Sequence, residues 1–415
     1  MARPEIITGL DIGTSSVRVV VGSRESDGSI HILGVGEALS QGVSKGNITD
    51  VEEVVSSVSE ALERAERMSG QAIERAVIGV NGTHIKVVQS QGVVAVSRAN
   101  GQVEPSDLER ALDAAQAVAT PPNYEILHVL PVAYTLDNQK NIKDPVGMSG
   151  VRLEAHAQLI MGLSSQIKNI SKCVYRTSID VEGFVFSILA TASAVLDKRQ
   201  KDIGVVVVNI GSATTSMVVY EEGEVLYAAV LPIGSDHITQ DLAIGLRTGL
   251  DVAEAVKIDF GIVDPEKISK REEIDLNHYA SSEQPRTTVS SKHVAEIIKA
   301  RLDEIFELID KELRSIDRSA SLPAGIVLTG GGAKLEGIVD VAKEALRLPA
   351  FLGKPVMTPS AIEKINDPRY TTALGLVYYA LAGTSTGGSK STLPSLGSVK
   401  EAAGRMTDWF KKLLP

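Results

Sequence analysis

The chain has 415 residues with 52 acidic and 42 basic side chains, a net charge of -10 and a pI near 5.4. At roughly 150 residues per domain it allows about three units or one two-lobed body, and 43% apolar with 23% charged residues excludes wholesale disorder. The acidic balance argues against a nucleic-acid partner, and one cysteine, Cys173, excludes an internal disulfide or a Cys-based zinc site.

Apolar runs bounded by turn residues alternate with helical periodicity, which predicts an α/β protein. Residues 6–11 and 17–21 read as two strands joined by Gly13-Thr14-Ser15-Ser16, and 30–36 as a third. Asp50 caps a predicted helix over 50–67, and 76–80 is a strand. Within 84–165 the pattern gives strands at 85–88, 92–96, 126–136 and 155–161. Between them lies a helix whose capping signal is Ser106 with Glu109. The run 203–210 is apolar throughout, as in a strand buried on both faces, followed by strands at 216–220 and 225–231. This strand–turn–strand pattern echoes residues 6–21 and predicts an internal duplication. A long amphipathic helix follows over 291–316, then a strand at 325–329 running into Gly330-Gly331-Gly332 and another helix. Residues 383–398 have linker composition.

Three small-residue turns each follow an apolar strand: Asp11 to Ser16, Asn209 to Thr215, and Thr329 to Leu335. Glycines permit close backbone approach, successive N–H groups can cradle an anion, and a carboxylate before the turn can hold a hydrated cation. In this order the turns resemble those of the actin-like ATPase superfamily, and within it the FtsA family of bacterial cell-division proteins. The resemblance spans nearly the whole chain. It implies an actin-like, ribonuclease H-like two-lobed α/β fold with a duplicated core, an inserted SHS2-like subdomain and a terminal amphipathic helix. On that basis 1–83 and 166–200 are the first lobe, 84–165 the insert and 201–382 the second lobe, whose C-terminal part returns to the first. Residues 383–398 are then a linker and 399–415 a membrane-targeting helix.

The resemblance also implies ATP and Mg2+ as ligands. The first phosphate turn is then Asp11, Gly13, Thr14, Ser15 and Ser16, and the second Gly211, Ser212, Ala213, Thr214 and Thr215. Gly234, Gly331, Gly332, Ala333 and Leu335 complete the nucleotide contacts, and Glu254 with Lys257 forms the ribose-contacting pair. Asp11 and Asn209 are the expected metal positions. Two departures from the family pattern bear on turnover. Asn209 stands where an aspartate is usual, and an uncharged amide holds cation-bound water weakly and is a poor proton acceptor. Ser212 and Ala213 carry a Cβ, which restricts positive φ. Ser193 stands where the superfamily has a water-orienting glutamine. The expectation is ATP binding with at most weak hydrolysis, and no catalytic residue is assigned.

No stretch approaches the roughly 20 apolar residues of a membrane span, so attachment from the surface is the expectation. Val399, Met406, Trp409, Phe410, Leu413 and Leu414 follow helical spacing, with Lys400, Arg405, Lys411 and Lys412 between them. That is an interfacial-helix pattern. Together with the resemblance it implies a peripheral protein on the cytoplasmic face of the cell membrane at the division site. The implied partners are the C-terminal peptide of FtsZ, further copies of the chain in a filament, membrane lipids and other division proteins. A small-molecule kinase and a pilus-assembly adaptor share the fold, but neither accounts for the tail.

Overall fold

The computed structural model describes residues 5–25, 29–97, 100–269, 271–279, 288–356 and 362–384. The expected linker beyond 384 and the six membrane positions lie outside the described residues.

In the first lobe the strands are β1 (Glu5–Ile12), β2 (Ser16–Arg24) and β3 (Ile30–Leu39), with a small hairpin β4 (Val43–Ser44) and β5 (Asn47–Ile48). Helix α1 (Val51–Ser69) follows. Asp50 accepts from the Glu52 and Glu53 N–H groups at its start, and Gly70 ends it at φ +65°. Strand β6 (Arg75–Val80) leads into the insert, made of β7 (Ile85–Ala95), α2 (Pro105–Ala119), β8 (Tyr124–Leu136), β9 (Gln139–Ile142) and β10 (Arg152–Leu163). The chain returns through α3 (Ser164–Arg176), β11 (Asp180–Phe186), α4 (Ser187–Val195) and α5 (Lys198–Ile203). The second lobe holds β12 (Val205–Ile210), β13 (Thr215–Glu221), β14 (Glu224–Leu231), α6 (Ser235–Leu246) and α7 (Leu250–Phe260). It continues with β15 (Glu273–Asp275), β16 (Thr288–Ser290), α8 (Ser291–Ser315), β17 (Ile326–Thr329), α9 (Ile338–Leu346) and β18 (Ala350–Leu352). Helix α10 (Thr371–Thr384) then packs back on β1 and α4.

Two five-stranded sheets share one topology. In the first the order is β3-β2-β1-β6-β11, and in the second β14-β13-β12-β17-β18. Each begins as an antiparallel meander of three strands and adds strands parallel to the first of them. The duplication expected from the two similar hairpins is therefore present in the strand order. The insert has its own sheet, β7-β10-β8-β9, covered by α2.

The structure corrects two local expectations. Helix α2 is capped not by Ser106 and Glu109 but two residues earlier, by Glu104 with Asp107. Pro105 sits at its first position, and the buried Asp107 carboxylate accepts from the Glu104 N–H at 2.9 Å and the Ser97 N–H at 3.1 Å. The apolar run 203–210 is not all strand, because Ile203 closes α5 and Gly204, at φ +102°, turns the chain into β12. On α8 the expected apolar face is buried at Val294, Ile298, Leu302, Ile305, Ile309 and Leu313, while Ile297 and Leu308 are half-buried. No helix among the described residues is long and apolar enough to cross a membrane.

Candidate functional site

The C-terminal ends of five strands face one cleft of about 460 Å3 between the lobes. Ligands of open α/β sheets gather outside such ends. After β1 and after β12 the chain makes the same turn. The Gly13 N–H donates to the Ser16 carbonyl at 3.1 Å, and the Gly211 N–H donates to the Thr214 carbonyl at 2.9 Å. A Cβ would lie 2.8 Å from the Ser16 oxygen at the first glycine and 2.9 Å from the Thr214 oxygen at the second, so each turn closes only around glycine. Ser212 and Ala213 both adopt negative φ, so the strain expected from their Cβ atoms is absent. This turn needs glycine for space rather than for handedness.

The second turn rests on the start of α6. The Ser235 and Asp236 N–H groups donate to the Gly211 and Ser212 carbonyls, each at 2.8 Å, and the Ser212 hydroxyl donates to the Asp236 carboxylate. Gly234 does not line the cleft. It is the point of closest approach, where a Cβ would meet the Ser212 oxygen at 2.5 Å.

Asp11, Thr14, Ser15, Ser16, Ser212, Ala213, Thr214, Glu254, Lys257, Gly331, Gly332 and Leu335 all line the cleft with both turn glycines and Asn209. Thr215 and Ala333 do not; both are buried beneath it. Burial pushes the Asp11 carboxyl up to about 6, against the pull of the Arg18 guanidinium across the hairpin. Opposite it, Asn209 donates through Nδ2 to the Thr372 hydroxyl at 3.1 Å, and Thr372 pairs with Thr191 at 2.9 Å. The Asn209 amide oxygen fills the space above Gly330, where a Cβ would lie 2.3 Å from it and φ is +85°. Lys257 is buried and its Nζ is committed to Glu254 at 2.6 Å, Thr239 Oγ1 at 2.8 Å and the Ser235 carbonyl at 3.4 Å. Glu254, with its side chain 42% exposed, is the more open member of that pair.

Three features escaped the motif reading. Asn81, directly after β6, crosses the cleft. Its amide oxygen accepts from the Ser216 hydroxyl at 2.9 Å and its Nδ2 donates to Thr214 Oγ1 at 3.3 Å. Ser187, directly after β11, lines the cleft with a buried hydroxyl that has no partner among the described residues. Ser193 does not reach the cleft, since its hydroxyl donates to the Leu189 carbonyl inside α4 at 3.1 Å; Ser187 Oγ and Asp11 Oδ1 instead both lie beside Gly79. The third feature is a charged wall. Glu37 accepts from Arg18 at 2.9 Å and from the Tyr370 hydroxyl at 3.1 Å, with Arg369 at 3.5 Å. Burial raises the Glu37 carboxyl but Arg18 and Arg369 bring it below its usual range. Asp367 likewise falls to about 2, because bonds from Arg369 and Lys334 outweigh its burial. The signal for Asn81 and Ser187 was positional: each is the first residue past a parallel strand.

Comparison with known proteins decides the family. A profile described as "Cell division protein FtsA" matches residues 206–375, and one described as "SHS2 domain inserted in FTSA" matches residues 82–161. The cell division protein FtsA of Pseudomonas aeruginosa is 37% identical over 408 residues, covering 98% of this chain and 97% of its own. That of Bacillus subtilis is 36% identical, covering 94% and 87%, and that of Escherichia coli 31% identical, covering 98% of each. The chain belongs to the FtsA family.

Among solved structures, the PilM-PilN type IV pilus biogenesis complex aligns with TM-score 0.66 at 16% identity, over 90% of this chain and 98% of that one. MreB5 of Spiroplasma citri bound to ADP aligns with TM-score 0.54 at 12% identity, over 92% and 99%. At such identities these alignments establish the actin-like fold. The FtsA-family assignment makes this an actin-like cell-division protein, with the SHS2 insert in place.

Proposed function

We propose that this FtsA-family protein binds ATP with Mg2+ in the interlobe cleft, polymerises, and ties the C-terminal peptide of FtsZ to the cytoplasmic membrane. The observation that carries the nucleotide reading is the pair of matching glycine turns facing one another across the cleft. The donor set fits a phosphate with a hydrated cation. Ser16 and Ser187 line the cleft with buried hydroxyls that lack partners among the described residues, and the Asp11 carboxylate has no hydrogen bond there. Asp11 and Asn209 would hold the cation through its water. The cation would offset phosphate charge, while the turns, Glu254 and Leu335 would position the nucleotide.

A fluorescent ATP analogue should bind with Mg2+ at pH 7.5, and Asp11→Asn should weaken that binding on the order of ten- to a hundredfold. Because burial pushes the Asp11 carboxyl up to about 6, the Mg2+-dependent part of the affinity should decline as pH falls through that value. Affinity insensitive to both Mg2+ and Asp11 would refute the assignment. For turnover, Asn209→Asp should raise phosphate release several-fold, since a carboxylate holds cation-bound water and accepts a proton better than an amide. Equal rates would show that Asn209 does not limit hydrolysis.

Attachment rests on the residues after 398. A helix with Val399, Met406, Trp409, Phe410, Leu413 and Leu414 on one face and lysines beside it would lie in the lipid interface. One such helix binds weakly, and a polymer supplies many copies. The chain cut after Gly397 should lose flotation with anionic liposomes; continued flotation would place the contact elsewhere.

A further inference from the structure

The insert touches both lobes and none of its residues lines the cleft. Strand β8 lies against β11, an edge of the first-lobe sheet. Together β7 and β8 also lie against β14, an edge of the second-lobe sheet. The insert thus covers one exposed edge of each sheet.

The contacts on each side are specific. Toward the first lobe, buried His128 on β8 accepts the Phe186 N–H on Nε2 at 2.9 Å. Its Nδ1 must then carry the proton, which faces the Tyr379 hydroxyl of α10 at 3.4 Å, and the two rings meet edge to face at 5.9 Å. Toward the second lobe, buried Gln158 on β10 donates through Nε2 to the Leu226 carbonyl of β14. Lys143, just past β9, reaches the β13–β14 turn, with Nζ 2.8 Å from the Glu222 carboxylate and 3.1 Å from its carbonyl. An apolar seam joins the three bodies. Ile160 and Leu130 of the insert, Phe186 of the first lobe and Val225 of the second belong to one continuous core.

From these contacts we propose that the insert is a splint across the hinge, which resists separation of the lobes and so limits how fast the cleft opens. The lobes are also joined through α4, α5 and α10 and, across the cleft, by Asn81 and the Lys334–Asp367 pair. Lobes that rotate about the helices must slide β14 over β7 and β8, breaking the Gln158 and Lys143 bonds and exposing the seam. A ligand or second copy that engaged the insert would thereby act on a cleft it does not touch.

Two variants test the splint. Lys143→Glu changes only an exposed side chain and places like charge against Glu222, while Gln158→Ala removes the buried bond to Leu226. Opening is read in the free protein by the distance distribution between spin labels at Met68→Cys on α1 and Ile244→Cys on α6, both exposed and on different lobes. The native Cys173 is buried. Both variants should broaden that distribution toward longer distances. Release of a preloaded fluorescent nucleotide, a readout that rests on the nucleotide reading above, should quicken about two- to fivefold in Lys143→Glu and on the order of tenfold in Gln158→Ala. Unchanged distances in both folded variants would overturn the splint. Altered distances with no nucleotide bound to any form would uphold it and refute the nucleotide reading instead.

Discussion

In a Gly375→Ala variant, stability should fall, although replacing glycine inside a helix ordinarily stabilises by about 1 kcal/mol. Gly375 lies where α10 crosses α4. A Cβ there would sit 1.9 Å from the Ala190 carbonyl oxygen and 2.4 Å from its carbon, backbone atoms that cannot rotate away. On its other side α10 presses on β1, where a Cβ at Gly9 would lie 2.3 Å from the Ala373 oxygen. The helix therefore has nowhere to retreat. Overpacking of this kind costs about 1–3 kcal/mol for small additions, so Gly375→Val should lose about 3 kcal/mol or more. Urea titration of the three proteins gives the order glycine, alanine, valine. An alanine variant more stable than the parent would mean that the helices are not in backbone contact. The crossing also carries the Thr191–Thr372 bond and, through Thr372, Asn209. Spreading it should weaken nucleotide binding in whatever fraction still folds.

Acid should destabilise the protein well above the usual carboxylate range. His84, at the root of the insert, is buried and neither ring nitrogen has a partner among the described residues; burial pushes it down to about 4. His128 is buried against Phe186 and is likewise pushed down to about 4. An unfolded histidine titrates near 6.5, so below that pH the unfolded chain takes up protons the folded chain refuses. Stability is therefore intact above about pH 6.5 and declines as pH falls toward 4, by roughly 3 kcal/mol per histidine at the lower limit. Asp11 acts in the opposite sense. Raised to about 6, it binds its proton in the folded state first and returns part of the loss between pH 6 and 4. Asp107 and Asp367, both lowered to about 2, add a further decline only below about pH 4. Chemical denaturation from pH 7.5 to 4.5 should show the fall, and His84→Leu should flatten it. Parallel pH profiles for the parent, His84→Leu and His128→Gln would contradict this account.

Much of the cleft was legible as local pattern. Each glycine turn is written in a few adjacent residues after an apolar strand, because a tight turn and a backbone cradle are contacts within one short segment. Asp11, Ser16, Gly211 and Gly332 were found that way. Asn81, Ser187 and Arg369 were not, since nothing beside them in the chain marks them. Asn81 meets Thr214 from 133 residues away, and Arg369 faces Glu37 across 332 positions. The capping of α2 departs from the local signal for a related reason. Ser106 and Glu109 fit the local signal, but Asp107 also serves Ser97, ten residues back, and that fixes where the helix begins.

Periodicity and turn chemistry act over a few residues, so the α/β class, the repeated hairpin and the phosphate-type turns could be read from the chain alone. Which residues meet across the cleft, and that the insert should lie on an edge of each sheet, depends on how the two sheets pack. That packing is set by the shapes of distant surfaces such as Gly375 against Ala190 and Gln158 against Leu226. Sequence spacing carries no distance information of that kind, and only the closed tertiary structure supplies it.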